Sequence, residues 1–292
     1  MNKNQYLKIR YRVIRAILPK KYRHVALYWP TIKIKKNSKQ LVIRKFFFKR
    51  YFLNINNIKI KEQKDLVIVG SGPSINSLNL KKLKQYDCIF LNGSIILSKD
   101  LNIKPFAYFI IDVNFIIKRS DLLKNIPDGT NLFLTLGVIR FIAELNIKTL
   151  LKNNIFLVKE IPISKYYNYK NYEKFDWLVF NKKQGFSKNC NKNFYDGGSV
   201  MSYAIQYSYM LSTKNTYLLG LDISNSNEPR FYENNKNKLK SGLENCFDSR
   251  ILPFMEISKK LFNEQGLSIY NCSKTTKLPY SIIPYSNKFE QV

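Results

Sequence analysis

Leu66-Val-Ile-Val-Gly-Ser-Gly-Pro-Ser74, followed by Ile75-Asn-Ser-Leu-Asn-Leu-Lys-Lys-Leu83, decides how the rest of this 292-residue chain is read. Four apolar, partly β-branched residues form a run too short for a helix, and they read as a buried strand. Gly70 to Ser74 then turns the chain into a modestly amphipathic helix or helical turn. Two glycines let backbone approach a ligand closely, and the N–H groups at a helix start attract anionic groups such as phosphate. This is the chemistry of a nucleotide-phosphate corner in a Rossmann-like domain. A lone Gly-x-Gly also fits a tight turn that binds nothing, so the surroundings must decide.

Downstream, short apolar runs alternate with helical patterns. Cys88-Ile-Phe-Leu-Asn92 reads as a second strand and Phe106-Ala-Tyr-Phe-Ile-Ile-Asp112 as a third, each ending on a polar residue. Leu132 to Thr135 and Ile155 to Val158 read as further strands around a helix from about Val138 to Leu151. Such alternation predicts a parallel sheet, and ligands bind parallel sheets at the strands' carboxyl ends. Asn92 and Asp112 are thereby candidate ligand contacts beside Ser71 and Ser74, although polar residues at strand ends are also common in ordinary turns.

From Pro162 to Phe194 the chain is rich in Tyr, Lys and Asn and has little periodicity, which suits a lid or acceptor-binding loop around residues 160–195. Asp196-Gly-Gly-Ser-Val200 opens a helix running to about Met210, with Ser199 as a cap and a second close-approach turn at Gly197 and Gly198. Thr216-Tyr-Leu-Leu-Gly-Leu-Asp222 reads as a strand, Ile251 to Phe262 as a helix and Leu267 to Asn271 as a last strand. The tail Lys277 to Tyr285, with two prolines, is expected to run extended over the surface.

The net charge is +29, and residues 1–64 carry 19 Lys/Arg against one acid, Glu62. Charge of this kind meets nucleic acid, an anionic membrane or a phosphorylated substrate. Two stretches mix cations with apolar residues. In Tyr6 to Leu18, Leu7, Ile14 and Leu18 share one helical face and Lys8, Arg12 and Arg15 another. Leu41 to Leu53 sets four Phe among four cations. Both suit an interfacial, non-spanning membrane segment. Nucleic-acid binding and a merely basic packing extension are the competing readings. The chain therefore divides into a basic membrane-associating segment, 1–64, and an α/β domain, 65–292. No apolar run reaches the roughly 18–20 residues of a membrane span, and no signal-peptide h-region follows Met1. Four cysteines without CxxC spacing and a single histidine argue against a disulfide framework and the common metal sites, and for a cytoplasmic protein.

Val69-Gly-Ser-Gly-Pro-Ser74, Asn92, Gly197-Gly-Ser-Val200 with its long helix, and Tyr217-Leu-Leu-Gly-Leu-Asp222 resemble, in order and spacing, the bacterial sialyltransferases of glycosyltransferase family 42 and related lipopolysaccharide glycosyltransferases. More distantly they resemble the domain of motility accessory proteins. The resemblance covers roughly Asp65 to Asn271. It implies a Rossmann-like α/β fold, a GT-A-like variant with a mostly parallel sheet, helices on both faces and a small lid. It also implies transfer of an ulosonic acid from a CMP-sugar to a glycolipid or lipopolysaccharide acceptor, with no metal or other cofactor, on the cytoplasmic side of the inner membrane. By motif, Gly70, Ser71, Gly72, Pro73 and Ser74 would line phosphate and cytidine. Asn92 would contact the nucleotide, Gly198 and Ser199 the donor, and Asp222 the ribose or base. Where the family commonly has Asn this chain has Ser71, a shorter side chain that suits a bridging water.

The reaction needs stabilisation of a departing phosphate and deprotonation of an acceptor hydroxyl. Tyr232 is the candidate phosphate donor and Arg230 a charge partner. The sialyltransferases use a histidine before the last helix, whereas the one histidine here is His24. Asp248 is the candidate base if burial raises its pKa, and it is equally suited to cap the helix at Ile251. A different donor sugar (sialic acid, Kdo or a pseudaminic or legionaminic type), a retaining mechanism with a carboxylate nucleophile, or inactivity remain open. The expected partners are thus a CMP-sugar, a glycan acceptor and an anionic membrane, without nucleic acid, and homo-oligomer formation is left open. The alternatives are a pyrophosphokinase-like nucleotide enzyme and a basic nucleic-acid or membrane adaptor on a degenerate Rossmann scaffold.

Overall fold

The structure is a computed structural model, and it describes residues 3–19, 32–35, 40–43, 48–53, 55, 58, 64–161, 175–181, 184–224 and 228–291. His24, the middle of the basic-aromatic stretch and most of the first half of the expected lid lie outside the described residues. The chain opens with helix α1 (Lys3–Ile17) and a three-stranded antiparallel sheet of β1 (Ile32–Lys35), β2 (Gln40–Ile43) and β3 (Phe48–Tyr51). β4 (Leu66–Val69), β5 (Asp87–Leu91), β6 (Ala107–Ile110), β7 (Asn131–Leu134) and β8 (Asn154–Leu157) then add successively to one side of a parallel sheet. After the short hairpin of β9 (Leu178–Phe180) and β10 (Gly185–Ser187), β11 (Asn215–Leu219) returns to the other side of β4, and β12 (Ser268–Asn271) follows outside it. The resulting seven-stranded order is β12-β11-β4-β5-β6-β7-β8, with the short helices α2 (Ile96–Asp100) and α5 (Ile147–Lys152) in the connections before β6 and β8. This is the Rossmann-like α/β architecture expected from the alternation.

Period-two side-chain direction separates two cores, because successive strand residues point to opposite faces. Val67, Val69, Phe90, Tyr108, Ile110, Leu132 and Leu134 pack with Val138, Phe141 and Ile142 of α4 (Leu136–Leu145) and Phe115 and Ile116 of α3 (Val113–Lys118). Leu66, Ile68, Ile89, Leu91, Phe109, Phe133 and Phe156 pack with Ala204, Ile205 and Tyr207 of α6 (Val200–Met210) and Phe254, Met255 and Phe262 of α7 (Leu252–Glu264). Both faces are dry, as a parallel sheet requires.

One local expectation narrows and two change. After β4 the helix or helical turn takes the second form, two short 3-10 segments, Pro73–Ser77 and Leu80–Gln85. Small polar residues compete for the backbone there, as when the Ser77 hydroxyl donates to the Ser74 carbonyl at 2.8 Å. The tail lies at the surface but is not extended: Lys277, Pro279, Tyr280 and Ser281 are exposed around a turn, Leu278 and Ile283 anchor it in the core, and beyond it the Asn79 N–H bonds the carbonyl of buried Phe289 at 2.8 Å. The N-terminal segment also enters the body. Leu7 and Ile32 join the first core and Ile55 the second. The Leu53 N–H reaches the Ile155 carbonyl at 2.9 Å, covering the edge of β8. Arg10 pairs with Glu144 of α4 at 3.5 Å.

Candidate functional site

β4 and β11 are neighbours, but the chain leaves them in opposite directions, β4 toward β5 and β11 toward β12. Such a switch point opens a crevice at the strands' carboxyl ends. Here the loops after the two strands are bonded together. The Gly70 N–H donates to the Leu219 carbonyl at 2.8 Å and the Gly72 N–H to the Gly220 carbonyl at 3.1 Å. The Ser74 N–H donates to Asp222 Oδ2 at 2.7 Å, and the Ser74 hydroxyl donates to Asp222 Oδ1. A Cβ at Gly70 would lie 2.8 Å from the Gly220 oxygen, and one at Gly72 would overlap the Asp222 carboxylate. The glycines are therefore required by the approach of one loop to another. Most of the expected row of amides is used within the corner: Pro73 has no N–H, those of Gly70, Gly72 and Ser74 are taken, and the Ile75 N–H bonds the Gly72 carbonyl at 3.2 Å, leaving that of Ser71. Asp222 is likewise a clasp, with both carboxylate oxygens on Ser74. Burial raises its pKa despite the opposing bonds from Ser74.

A cavity of about 500 Å³ lies at this edge of the sheet, within the range of small-molecule sites. Gly70, Ser71, Gly72, Pro73, Asn92, Asp112, Gly198, Ser199, Asp222 and Arg230 line it, so most of the sequence candidates are brought together. Asn92 sits in a left-handed backbone conformation (φ 47°), its carbonyl receiving the Tyr108 hydroxyl at 2.7 Å. Its side-chain oxygen is buried without a partner among the described residues. Asp112 caps α3 by accepting the Asn114 N–H at 2.8 Å. Gly198 has φ +91° and donates its N–H to Asp196 Oδ1 at 2.9 Å. Ser199 stands at the cap position of α6, but its hydroxyl is buried and unpaired among the described residues. Arg230 is held by Glu233 at 3.1 Å. Glu233 is itself fully buried and also faces Arg119 at 3.4 Å.

Three candidates lie off the cavity wall. Ser74 is behind it, in the clasp. Tyr232 packs its ring over Gly93 and under the Arg119 guanidinium, 4.9 Å from the ring centre. Its hydroxyl is buried with no well-aligned hydrogen bond among the described residues, and burial pushes its pKa up to about 12 although the neighbouring Ser71 hydroxyl opposes the shift. Asp248 is a correction. Its side chain is 80 % exposed, 3.8 Å from Lys277, so the burial needed to make it a base is missing. Nor does it cap a helix at Ile251, because a π-helical turn, Phe247–Ile251, runs directly into α7.

Sequence reasoning missed the acid–base cluster on the opposite wall. Glu160, three residues past β8, accepts the Tyr203 hydroxyl at 2.7 Å on Oε1. Asp196 forms an ion pair with Arg250, whose guanidinium also donates to the Asp196 carbonyl at 3.1 Å. All four residues line the cavity. Desolvation by the cavity wall raises the Glu160 pKa above its ordinary value; the Tyr203 bond opposes this, Asp196 adds to it, and Arg250 opposes it. The strand-end rule that marked Asn92 and Asp112 would also have marked Glu160.

The sequence profile of the family described as 3-deoxy-D-manno-octulosonic acid transferase WaaZ matches residues 52–183 and 175–289, most of the chain. The chain belongs to this family. Two relatives, each named a probable 3-deoxy-manno-octulosonic acid transferase, support the WaaZ assignment. That of Salmonella typhimurium is 26 % identical over 76 % of this chain and 86 % of its own. That of Escherichia coli is 27 % identical over 79 % and 85 %. A solved structure, the sialyltransferase CstII from Campylobacter jejuni with cytidine-5'-monophosphate, has 15 % identity and a TM-score of 0.42, covering 80 % of this chain and 92 % of that one. As a WaaZ-family member the protein is a glycosyltransferase that acts with an ulosonic acid in lipopolysaccharide biosynthesis. Membership disfavours the adaptor and pyrophosphokinase readings.

Proposed function

We propose that the protein transfers 3-deoxy-D-manno-octulosonic acid (Kdo) from a CMP-activated donor to a saccharide hydroxyl of a lipopolysaccharide core. The observation that carries this is the WaaZ match across both walls of the switch-point cavity, from the Gly70–Ser74 corner to Arg250. Membership in the family implies the CMP-sugar donor and the glycan acceptor, and the relatives' names supply Kdo as the sugar. Arg230, Lys240 and Arg250 supply positive charge along the wall for phosphate and carboxylate. The reaction is read as metal-independent, with these cations and hydroxyl donors balancing the departing phosphate. Transfer that survives EDTA supports that reading. The Tyr232 hydroxyl, held beside the corner with no well-aligned hydrogen bond, is read as reaching the phosphate when the donor is bound.

The protein is further read as peripheral on the anionic cytoplasmic leaflet, docking through α1. Among the described residues no helix is long and apolar enough to cross a membrane. The test is a thermal-shift series with CMP, CDP, UDP and ATP, followed by transfer assays with a panel of CMP-sugars and a core oligosaccharide. Stabilisation by CMP together with transfer of Kdo is expected. A protein stabilised by none of these nucleotides, or one that transfers another ulosonic acid in preference, would sink the reading.

A further inference from the structure

Five carboxylates line the cavity: Asp112, Glu160, Asp196, Asp222 and Glu228. A general base needs an oxygen free to take a proton and a place beside the reacting hydroxyl. Asp222 has both oxygens on Ser74. Asp196 holds the Gly198 N–H and the Arg250 guanidinium. Asp112, Glu160 and Glu228 are all exposed residues, and Asp112 is committed to the cap of α3. Glu160 differs. One oxygen is fixed by the Tyr203 hydroxyl, and the other has no protein donor among the described residues.

We infer that Glu160 is the catalytic base, accepting the proton of the acceptor hydroxyl, and that Tyr203 is its positioning residue. This rests on the donor reading above. In the step, the acceptor O–H bond breaks and its proton passes to the free Glu160 oxygen. The acceptor oxygen bonds the anomeric carbon of the ulosonic acid. The bond from that carbon to the phosphate oxygen breaks, and its electron pair leaves on CMP. Glu160 then returns the proton to solvent. The groups facing the carboxylate come from two directions, Tyr203 on α6 with Asp196 just before it, and Arg250 before α7. Desolvation disfavours the charged carboxylate and the Tyr203 bond opposes it, so loss of that bond moves the pH at which the base becomes available upward.

The experiment uses the full chain, a CMP-Kdo donor and a lipopolysaccharide core acceptor, with CMP affinity measured separately by calorimetry. Glu160→Gln preserves shape and the Tyr203 contact. It should bind CMP within threefold of the parent, lose transfer by about 10²-fold or more, and show a flattened acidic limb in its pH–rate profile. Tyr203→Phe should lower transfer, by less than Glu160→Gln does, while moving that limb to higher pH, and this profile tests the assignment even if Glu160→Gln does not fold. Glu160→Gln transferring within threefold of the parent, or a Tyr203→Phe limb that does not move, overturns the assignment. A parent protein that neither binds CMP nor transfers overturns the donor reading, and the assignment with it.

Discussion

At the level of single residues, the site contains polar groups that raise the free energy of the empty protein. The Tyr232 hydroxyl is buried with no well-aligned hydrogen bond among the described residues, and such a group costs about 1–3 kcal/mol. Tyr232→Phe should therefore leave Tm unchanged or raise it, while slowing transfer about tenfold more than it weakens CMP binding. Thermal melts beside kinetics check this, and unchanged turnover would remove the phosphate role. Glu160 makes a second case, with a defined sign. Although Glu160 as a whole is exposed, the cavity wall desolvates its carboxyl in the folded state alone and raises its pKa above the ordinary 4.5. Stability is thus lost as pH climbs from about 4.5 through the folded value, and the loss is constant above it. Glu160→Gln should melt at or above the parent temperature near neutrality, and the two curves should converge at pH values below 4.5. Of these residues, Tyr232 was legible from its place after the Gly-x-Asp strand. Glu160 carried the strand-end signal, but its pairing with Tyr203, 43 positions away on a different element, was not legible.

Among the elements, α1 departs most from its sequence reading. Leu7, read as part of a membrane-facing side, turns into the core instead, while Tyr6, Ile9, Val13 and Ile17 are 49–76 % exposed and form an outward apolar stripe. Exposed Arg12 and Arg15 flank it, the arrangement that binds anionic interfaces. Replacing Ile9, Val13 and Ile17 together by Asp should abolish sedimentation with phosphatidylglycerol vesicles while leaving transfer to a soluble acceptor intact. Unaltered sedimentation would place the membrane contact elsewhere. The loop from 228 to 243 depends on Glu233, which bonds Arg230 and also receives the Leu239 N–H at 3.4 Å. Glu233→Ala should destabilise the protein by about 3 kcal/mol, measured by urea unfolding, and raise the KM for donor because this loop forms one wall of the cavity. The seven strands of the parallel sheet were legible as short apolar runs, all but β8 stopping at Gly, Asn, Asp or Thr. The 3-10 form of the turns after Pro73 and the anchoring of the tail were not, because they depend on serine hydroxyls and on contacts made by Ile283 and Phe289 far along the chain.

For the molecule as a whole, the parallel sheet and its switch point follow from the order of apolar runs, and most of the cavity wall follows from the strand ends. The clasp does not, because Gly70, Gly72, Ser74 and Asp222 carry the signature of a ligand cradle while their polar groups mostly satisfy one another. That clasp also orders events in time. β4 pairs at once with β5, but its other edge stays open until β11 arrives, when Val69 meets Leu219. Contacts of such separation form slowly. During synthesis, the first sheet strands must wait with an unpaired edge while more than half the chain is made, so the donor pocket is among the last features to exist. Pulse proteolysis during refolding should find CMP protecting the chain only after the β4–β11 junction has closed. Early CMP protection would show that the corner cradles the nucleotide without its clasp. A ribosome-stalled chain ending before Asp222 would carry the glycine corner and have no binding site.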